Sequence, residues 1–219
     1  TELESLDYIR QSLYDFNLIR LNFKLRADGT IYLGPDEKKG DIWRGGFGEA
    51  FKKIACADRW GSADCKKCGD AGQCFFNEYF VIDKPHPYVI RHELDSKRIY
   101  RNGDSIGIEF ILIGEAAQYY KRFVKIFEEL GVIGIGKNRG RFVIENVAVE
   151  TPEILAYFNA LPPVSREVIL ELLTPVKLKE TDKGLYYGEI PFEVFFRLLL
   201  KRFINLNNLY CNGMNYDKE

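Results

Sequence analysis

Near the start of the chain, the spacing of apolar residues changes from a period of two to a period of about 3.6. The segment Asn17–Arg26 reads NLIRLNFKLR, in which most apolar side chains alternate with polar or charged ones, and it predicts a strand. Glycines and Pro35 interrupt the pattern between Gly29 and Gly40, and Asp41 is the predicted N-cap of the next element. That element is an amphipathic helix with the apolar stripe Trp43, Phe47, Phe51 and Ile54/Ala55.

Two strands, a second helix and a last strand follow. Tyr88–Leu94 and Ile106–Ile113 are extended runs, and the turn residues Asn102-Gly103-Asp104 between them predict a hairpin. The second helix is predicted to end at Gly131 in the C′ position, and Arg141–Val149 predicts the final strand. The stripe of that helix is Ala116, Tyr119/Tyr120, Phe123, Ile126/Phe127 and Leu130. This order predicts an α+β, ferredoxin-like (βαββαβ) domain, with helices on one face of a four-stranded antiparallel sheet and the other face open to a ligand.

The predicted first domain covers residues 1–150, and a proline-containing linker at 151–164 separates it from a second unit. Residues 165–219 repeat the opening order of strand, loop and helix, with the strand VILELLTPVKL and a helix that has Pro191 at its first position. The repeat predicts the start of a second ferredoxin-like domain. One strand and one helix bury too little apolar surface to be stable, so we expect the native protein to continue past Glu219. Alternatively, the C-terminal unit packs on the first sheet.

Composition indicates a globular protein without a strong overall charge. Of the 219 residues, 46% are hydrophobic and 14% aromatic, which is ample for a packed core. The formal net charge of −1 gives no overall attraction to nucleic acid, so an RNA site would need a local basic patch. No long apolar run and no signal-peptide pattern occurs, which predicts a cytoplasmic protein with no membrane partner.

Four of the five cysteines lie between Cys56 and Cys74, inside a predicted cysteine-rich insertion at about 56–87. Their spacing, Cys56-x8-Cys65-x2-Cys68-x5-Cys74, includes a C-x2-C turn that is typical of tetrahedral thiolate sites in a reducing compartment. We expect these four cysteines to hold a structural zinc ion. An iron–sulfur cluster on the same thiolates and four uncoordinated thiols are the alternatives. A filled ligand set leaves no position for a substrate water, so catalysis is not expected to need the metal.

The segment from Gly131 to Phe142 reads GVIGIGKNRGRF and is rich in glycine and cations. It follows a helix and opens a strand, which is the reverse of the order in a dinucleotide-binding fingerprint, so a Rossmann site is excluded. Its backbone amides and the cations Lys137, Arg139 and Arg141 suit the binding of RNA phosphates. An ordinary solvated surface loop is the alternative.

Five segments follow one another between about Trp43 and Val147, namely WRGGFGEAFKKIAC, the cysteine cluster, CFFNEYF, PHPYVI and GVIGIGKNRGRFVIENV. Taken in this order, they resemble the CRISPR-associated endoribonucleases of the RAMP superfamily that process precursor guide RNA, the "Cas six" group. The resemblance implies ferredoxin-like domains with a glycine-rich loop before a last strand, and CRISPR repeat RNA as the partner. It also implies metal-independent cleavage, in which a ribose 2′-hydroxyl attacks the adjacent phosphate and leaves a 2′,3′-cyclic end.

Relatives in that group often supply a histidine from or near the first helix, and the helix of this chain has none. The catalytic candidates that remain are His86 and His92, which follow the cysteine cluster, and Lys52 on the helix. The candidates for contact with RNA are Arg44, Lys53, Lys137, Arg139 and Arg141.

Two other functions fit the same sequence. A noncatalytic RAMP subunit of a CRISPR effector complex, with other effector subunits as partners, would explain the missing helix histidine. A metal-stabilised protein-interaction module would bind no RNA, and a steep salt dependence of RNA binding would exclude it.

Overall fold

The computed structural model describes residues 11–56, 65–81, 83–153, 169–174, 176, 178–180, 184–185 and 190–211. The chain divides into two compact units. One unit is Leu18–Pro152, and the other combines the described residues of Thr1–Asn17 and Glu153–Glu219.

The Leu18–Pro152 unit has an α+β, ferredoxin-like fold, as the sequence predicts. Its elements in chain order are β1 (Leu18–Asp28), β2 (Ile31–Tyr32), α1 (Asp36–Ala55), β3 (Tyr88–His92), β4 (Ile99–Tyr100), β5 (Ser105–Ile113), α2 (Tyr120–Ile133) and β6 (Arg141–Glu150). The main sheet has the strand order β3-β5-β1-β6, and all of its neighbouring strands are antiparallel. The short strands β2 and β4 form a separate pair.

The core lies between this sheet and the two helices. Alternate residues of β1 point into it, and Leu21, Phe23 and Leu25 are at most 3% exposed. The predicted stripe of α1 faces them, since Trp43, Phe47 and Phe51 have no exposed surface. Further buried aromatic side chains come from β5 and α2, namely Phe110, Phe123 and Phe127.

Helix α1 begins at Asp36, so the predicted N-cap at Asp41 is wrong. Pro35 occupies the N-cap position. The carboxylates of Asp36 and Glu37 lie in the first turn, where their negative charges interact favourably with the helix dipole. The added turn buries Lys39, whose side chain is 1% exposed. Its Nζ contacts one carboxylate oxygen of Asp36 and one of Asp95, each at 2.6 Å, and donates to the Tyr100 hydroxyl at 3.3 Å. The beginning of α1 is thereby tied to the segment between β3 and β4.

Two other predicted boundaries shift. The turn at Asn102–Asp104 joins β5 to the short strand β4 rather than directly to β3, although β3 and β5 do pair as predicted. Helix α2 continues through Gly131 to Ile133, and its C-cap is Gly134, which has a φ of +84°. Gly131 is needed inside the helix because a Cβ there would lie 2.4 Å from the carbonyl oxygen of Phe142.

In the second unit, the structure describes β7 (Lys179–Glu180), β8 (Gly184–Leu185) and α3 (Phe192–Tyr210). Pro191 is the N-cap of α3, one residue before the predicted position. The strand predicted for VILELLTPVKL is not formed by residues 169–174, because no neighbouring strand pairs with them there and Ile169 is 96% exposed. The linker and the domain boundaries stay predictions, since residues 154–168 lie outside the description. Among the described residues, no helix combines the length and apolar character needed to span a bilayer.

Candidate nucleic-acid interface

His86 lies beside α1, although the helix itself contains no histidine. Arg44 Nη2 and His86 Nε2 are 2.9 Å apart, across 42 residues of sequence. The Ile113 N–H donates to the Pro87 carbonyl oxygen at 2.8 Å, which anchors the backbone next to His86 at the end of the sheet. A guanidinium can only donate, so Nε2 accepts and the ring proton is assigned to Nδ1. The structure therefore places a neutral imidazole and a permanent cation side by side.

Aromatic rings hold this pair in place. The His86 ring stacks on Tyr88 with centroids 5.4 Å apart and on Phe80 with centroids 6.2 Å apart. The Arg44 guanidinium lies 5.9 Å from the centroid of the same Phe80 ring. Burial raises the pKa of the Tyr88 hydroxyl, while the charge of Arg44 acts in the opposite direction. Tyr88 thus stays protonated at neutral pH.

The other two predicted catalytic residues lie away from His86. His92 is at the opposite end of β3, about 20 Å away for six extended residues, and its Nδ1 is 2.9 Å from the Glu93 carbonyl oxygen. Lys52 follows Arg44 on α1 by about two turns, or roughly 12 Å along the axis. The structure does not bring the three candidates together.

Lys53, one of the predicted RNA contacts, connects the two helices. Its ammonium forms an ion pair with Glu129 of α2 while 56% of its side chain stays exposed. Pairs this exposed stabilise a protein by only about 0–1 kcal/mol. An anion that binds Lys53 would share the ammonium with Glu129 or compete with it.

The glycine loop, residues 134–140 between α2 and β6, is folded back on itself. Ile135 and Gly140 exchange two backbone hydrogen bonds of 2.8 and 2.9 Å, and the Arg139 N–H also donates within the loop. The Lys137 N–H donates to the carbonyl oxygen of Tyr32 at 3.1 Å. These four amides already have protein partners, so phosphate binding at the loop would draw mainly on its side chains.

Strand β2 fixes the position of the glycine loop. The Asn138 side-chain amide donates to the Thr30 carbonyl oxygen at 2.6 Å, and its oxygen accepts from the Tyr32 N–H at 3.0 Å. Gly136 has a φ of +78°, and a Cβ there would lie 2.2 Å from the Tyr32 carbonyl oxygen. The loop is therefore a rigid support for the cations that it carries.

A groove of about 240 Å³ lies between α1 and the glycine loop. It is lined by Ile42, Gly46 and Glu49 of the helix and by Gly134, Gly136 and Arg139 of the loop. Arg139 Nη1 and Glu49 Oε2 form an ion pair at 2.6 Å, with side chains 58% and 48% exposed. Pockets for drug-sized ligands measure roughly 300–1,000 Å³. The groove suits one small group, such as a phosphate or a nucleobase.

Arg141 lies on the sheet face opposite the helices, because the next residue, Phe142, is buried against them. The cations of β1 share this open face, and each has a carboxylate neighbour. The pairs are Arg20–Glu109 at 3.7 Å, Lys24–Glu145 at 3.5 Å and Arg26–Glu145 at 3.1 Å. The same alternation that predicted β1 also placed these cations on one face. Their carboxylate partners could not be read from it, and they reduce the attraction of this face for RNA.

Of the predicted metal ligands, Cys56 is the C-cap of α1. Cys65, Cys68 and Cys74 lie within or next to two short helical turns, Cys65–Lys67 and Ala71–Gln73, and a third turn, Asn77–Val81, follows them. Cys65 and Cys74 pack partly buried against the core. Within the described residues, which exclude 57–64, no group of three or more Cys, His, Asp or Glu side chains is arranged to hold a metal ion. The zinc site on Cys56, Cys65, Cys68 and Cys74 stays a prediction.

Comparison with protein families matches residues 16–161 to AF_1859_N, which is described as an N-terminal domain. No curated protein matches the chain. Among solved structures, the protein is similar to a chain in the crystal structure of the Csm3–Csm4 subcomplex of the type III-A CRISPR–Cas interference complex. The two share 13% sequence identity with a TM-score of 0.40, and the match covers 66% of this chain and 84% of that one. Because the family match spans about two thirds of its residues, the chain belongs to the AF_1859_N family.

Proposed function

We propose that the protein binds single-stranded RNA at the glycine loop, as a RAMP-type subunit of a CRISPR system. The observation that carries this proposal is the groove beside α1, where Arg139 lines the wall and the exposed Lys137 lies two residues away. A rigid loop presents both cations, so little conformational entropy is lost when a phosphate binds. CRISPR repeat RNA is the proposed ligand, and other effector subunits are the proposed partners, on the basis of the sequence resemblance.

The charge distribution supports local rather than general binding. The net charge of −1 provides no overall attraction for RNA, and the cations of β1 are paired with carboxylates. Arg139 is paired as well, with Glu49, but it lines the groove, and together with Lys137 it is expected to supply much of the phosphate contact. For single strands, each neutralised phosphate contributes about −0.7 to the slope of log K against log salt concentration.

Fluorescence anisotropy with a labelled CRISPR repeat RNA tests this proposal. The double variant Lys137→Gln/Arg139→Gln should bind at least about tenfold more weakly and should lower the salt slope by about 1.4. Lys125→Gln, which removes an exposed cation of α2, is the matched control and should bind like the unaltered protein. Salt-independent binding, or equal losses in both variants, would contradict the proposal.

A second candidate function is metal-independent cleavage of the bound repeat RNA, and the contact between Arg44 and His86 favours it. If a phosphate draws Arg44 away, Nε2 of His86 becomes available to accept the proton of a 2′-hydroxyl. The 2′-oxygen would then bond to phosphorus, and Arg44 would stabilise the extra negative charge of the phosphorane. When the bond between phosphorus and the 5′-oxygen breaks, that oxygen would take a proton from the imidazolium or from water. The aromatic support from Phe80 and Tyr88 keeps both groups positioned for this exchange.

The same RNA, incubated with the protein in chelator, separates the two functions. A single cut with a 2′,3′-cyclic end that slows about 10²–10⁴-fold in His86→Ala would support catalysis. His92→Ala is the matched control, because His92 lies at the other end of β3 and should leave the rate unchanged. Tight binding without a cut would support the binding function alone.

A further inference from the structure

The groove between α1 and the glycine loop contains a carboxylate as well as a cation. Glu49 Oε2 lies 2.6 Å from Arg139 Nη1, and both side chains line the groove. The two residues are 90 positions apart in the sequence. The cation proposed to bind an RNA phosphate is therefore already bound to an anion of the protein.

The backbone keeps these two groups opposite each other. Glu49 lies within α1, away from the ends of the helix. Arg139 has a φ of +52°, in the left-handed region that residues other than glycine seldom adopt. The hydrogen bonds between Ile135 and Gly140 hold that conformation. The pairing of Glu49 with Arg139 is thus a consequence of the fold.

Solvent exposure makes the pair exchangeable. About half of each side chain is open to water, so the pair is weak and is screened by salt. A phosphate presents the same kind of oxygen acceptors as the carboxylate and binds arginine in two-pronged geometry. Exchange of one anion for the other leaves no buried charge behind.

We propose that Glu49 competes with RNA for Arg139 and so weakens RNA binding at the groove. In the RNA-free protein the carboxylate occupies the guanidinium, and in the complex a phosphate takes its place. The proposal rests on the proposed RNA-binding function, and it adds an acidic residue that sets the affinity and that the sequence motifs do not reveal.

RNA binding by Glu49→Gln, Arg139→Gln and the double variant tests the proposal, again by anisotropy with the labelled repeat RNA. Glu49→Gln should bind about two- to fivefold more tightly than the unaltered protein, because it loses the competitor and keeps the shape of the side chain. The gain should shrink as salt is raised. In the Arg139→Gln background, Glu49→Gln should give a much smaller gain, since the two changes act through one contact.

Glu128→Gln is the control, because it removes one negative charge from an exposed position on α2 that does not line the groove. It should change affinity less than Glu49→Gln. Thermal melting of each variant verifies that the fold is intact. If the unaltered protein binds RNA and Glu49→Gln binds equally or more weakly, the competition is refuted while RNA binding stands. If the unaltered protein binds no RNA, both proposals fail.

Discussion

Lys39, a residue of α1, and Arg139, which contacts α1 through Glu49, are two cations in very different surroundings on one helix. Lys39, in the first turns, is 1% exposed and is satisfied by Asp36, Asp95 and Tyr100. Arg139 approaches the later part of the same helix, is 58% exposed and contacts Glu49. A buried cation that loses its partners would pay a large desolvation cost, whereas an exposed one exchanges partners cheaply. The comparison favours a role in stability for the Lys39 cluster and supports the RNA-binding role that we propose for Arg139.

The pKa values around Lys39 agree with this division. Burial lowers the pKa of Lys39, but its hydrogen bonds with Asp36 and Asp95 outweigh that effect, and the net shift is upward. Burial and the hydrogen bond with Asp95 raise the pKa of Tyr100 to about 12. All the partners keep their ordinary charge states at neutral pH, so the cluster is a fixed set of complementary charges.

The largest effect is expected from Lys39→Met. The change keeps most of the side-chain volume but leaves the carboxylates of Asp36 and Asp95 without their cation, and it should lower the free energy of unfolding by about 3 kcal/mol. Urea unfolding at neutral pH measures the loss. Lys53→Met is the matched control, because it removes a lysine from the exposed pair with Glu129 and should cost under about 1 kcal/mol. Equal losses of unfolding free energy in the two variants would contradict the expectation that the buried cation matters more for stability than the exposed one.

Gly136→Ala should have the next largest effect, and it acts on the glycine loop that holds Arg139 opposite Glu49. An alanine with a φ near +78° is strained, and its Cβ would overlap the Tyr32 carbonyl oxygen. The free energy of unfolding should therefore fall by about 2 kcal/mol. The loop should shift, and RNA binding through Arg139 should weaken with it. The control is Gly45→Ala in α1, where a Cβ meets nothing within 4 Å and should stabilise the helix by about 0.5–1 kcal/mol. Unchanged RNA affinity in Gly136→Ala would argue against a groove that depends on the loop.

Much of the fold could be predicted because one face of each main element is buried. The alternation in β1 and the stripe of Trp43, Phe47 and Phe51 mark the buried faces directly. The start of α1 could not be predicted, because DEKKGD is polar and contains Gly40, and nothing local shows that Lys39 is buried. Its partners Asp95 and Tyr100 are 56 and 61 residues away.

The candidate site was harder to predict for the same reason. Residue type and spacing identified Arg44, His86 and Arg139 as candidates. The environment of each, however, is set by a contact with a residue far away in the sequence. His86 lies 42 residues from Arg44, and Glu49 lies 90 residues from Arg139. Glu49 in particular looks like any exposed helix carboxylate in the sequence, and only the packing of the glycine loop against α1 reveals its position in the groove.

The smallest predicted effect concerns acid, and it separates the charge of the Lys39 cluster from its packing. Burial raises the pKa of Asp95, but the hydrogen bonds with Lys39 and Tyr100 outweigh it, so the net shift is downward. A carboxyl whose folded pKa lies below its unfolded value of about 3.9 adds stability above that pH and loses it as the pH falls through the folded value. Asp95→Asn should therefore be less stable than the unaltered protein at pH 7. The difference in free energy of unfolding between the two proteins should shrink by on the order of 1 kcal/mol below about pH 4. Urea unfolding of both proteins between pH 7 and pH 3 measures this difference. A gap that stays constant over that range would mean that Asp95 acts through shape rather than charge, and the contrast between the two clusters would then rest on burial alone.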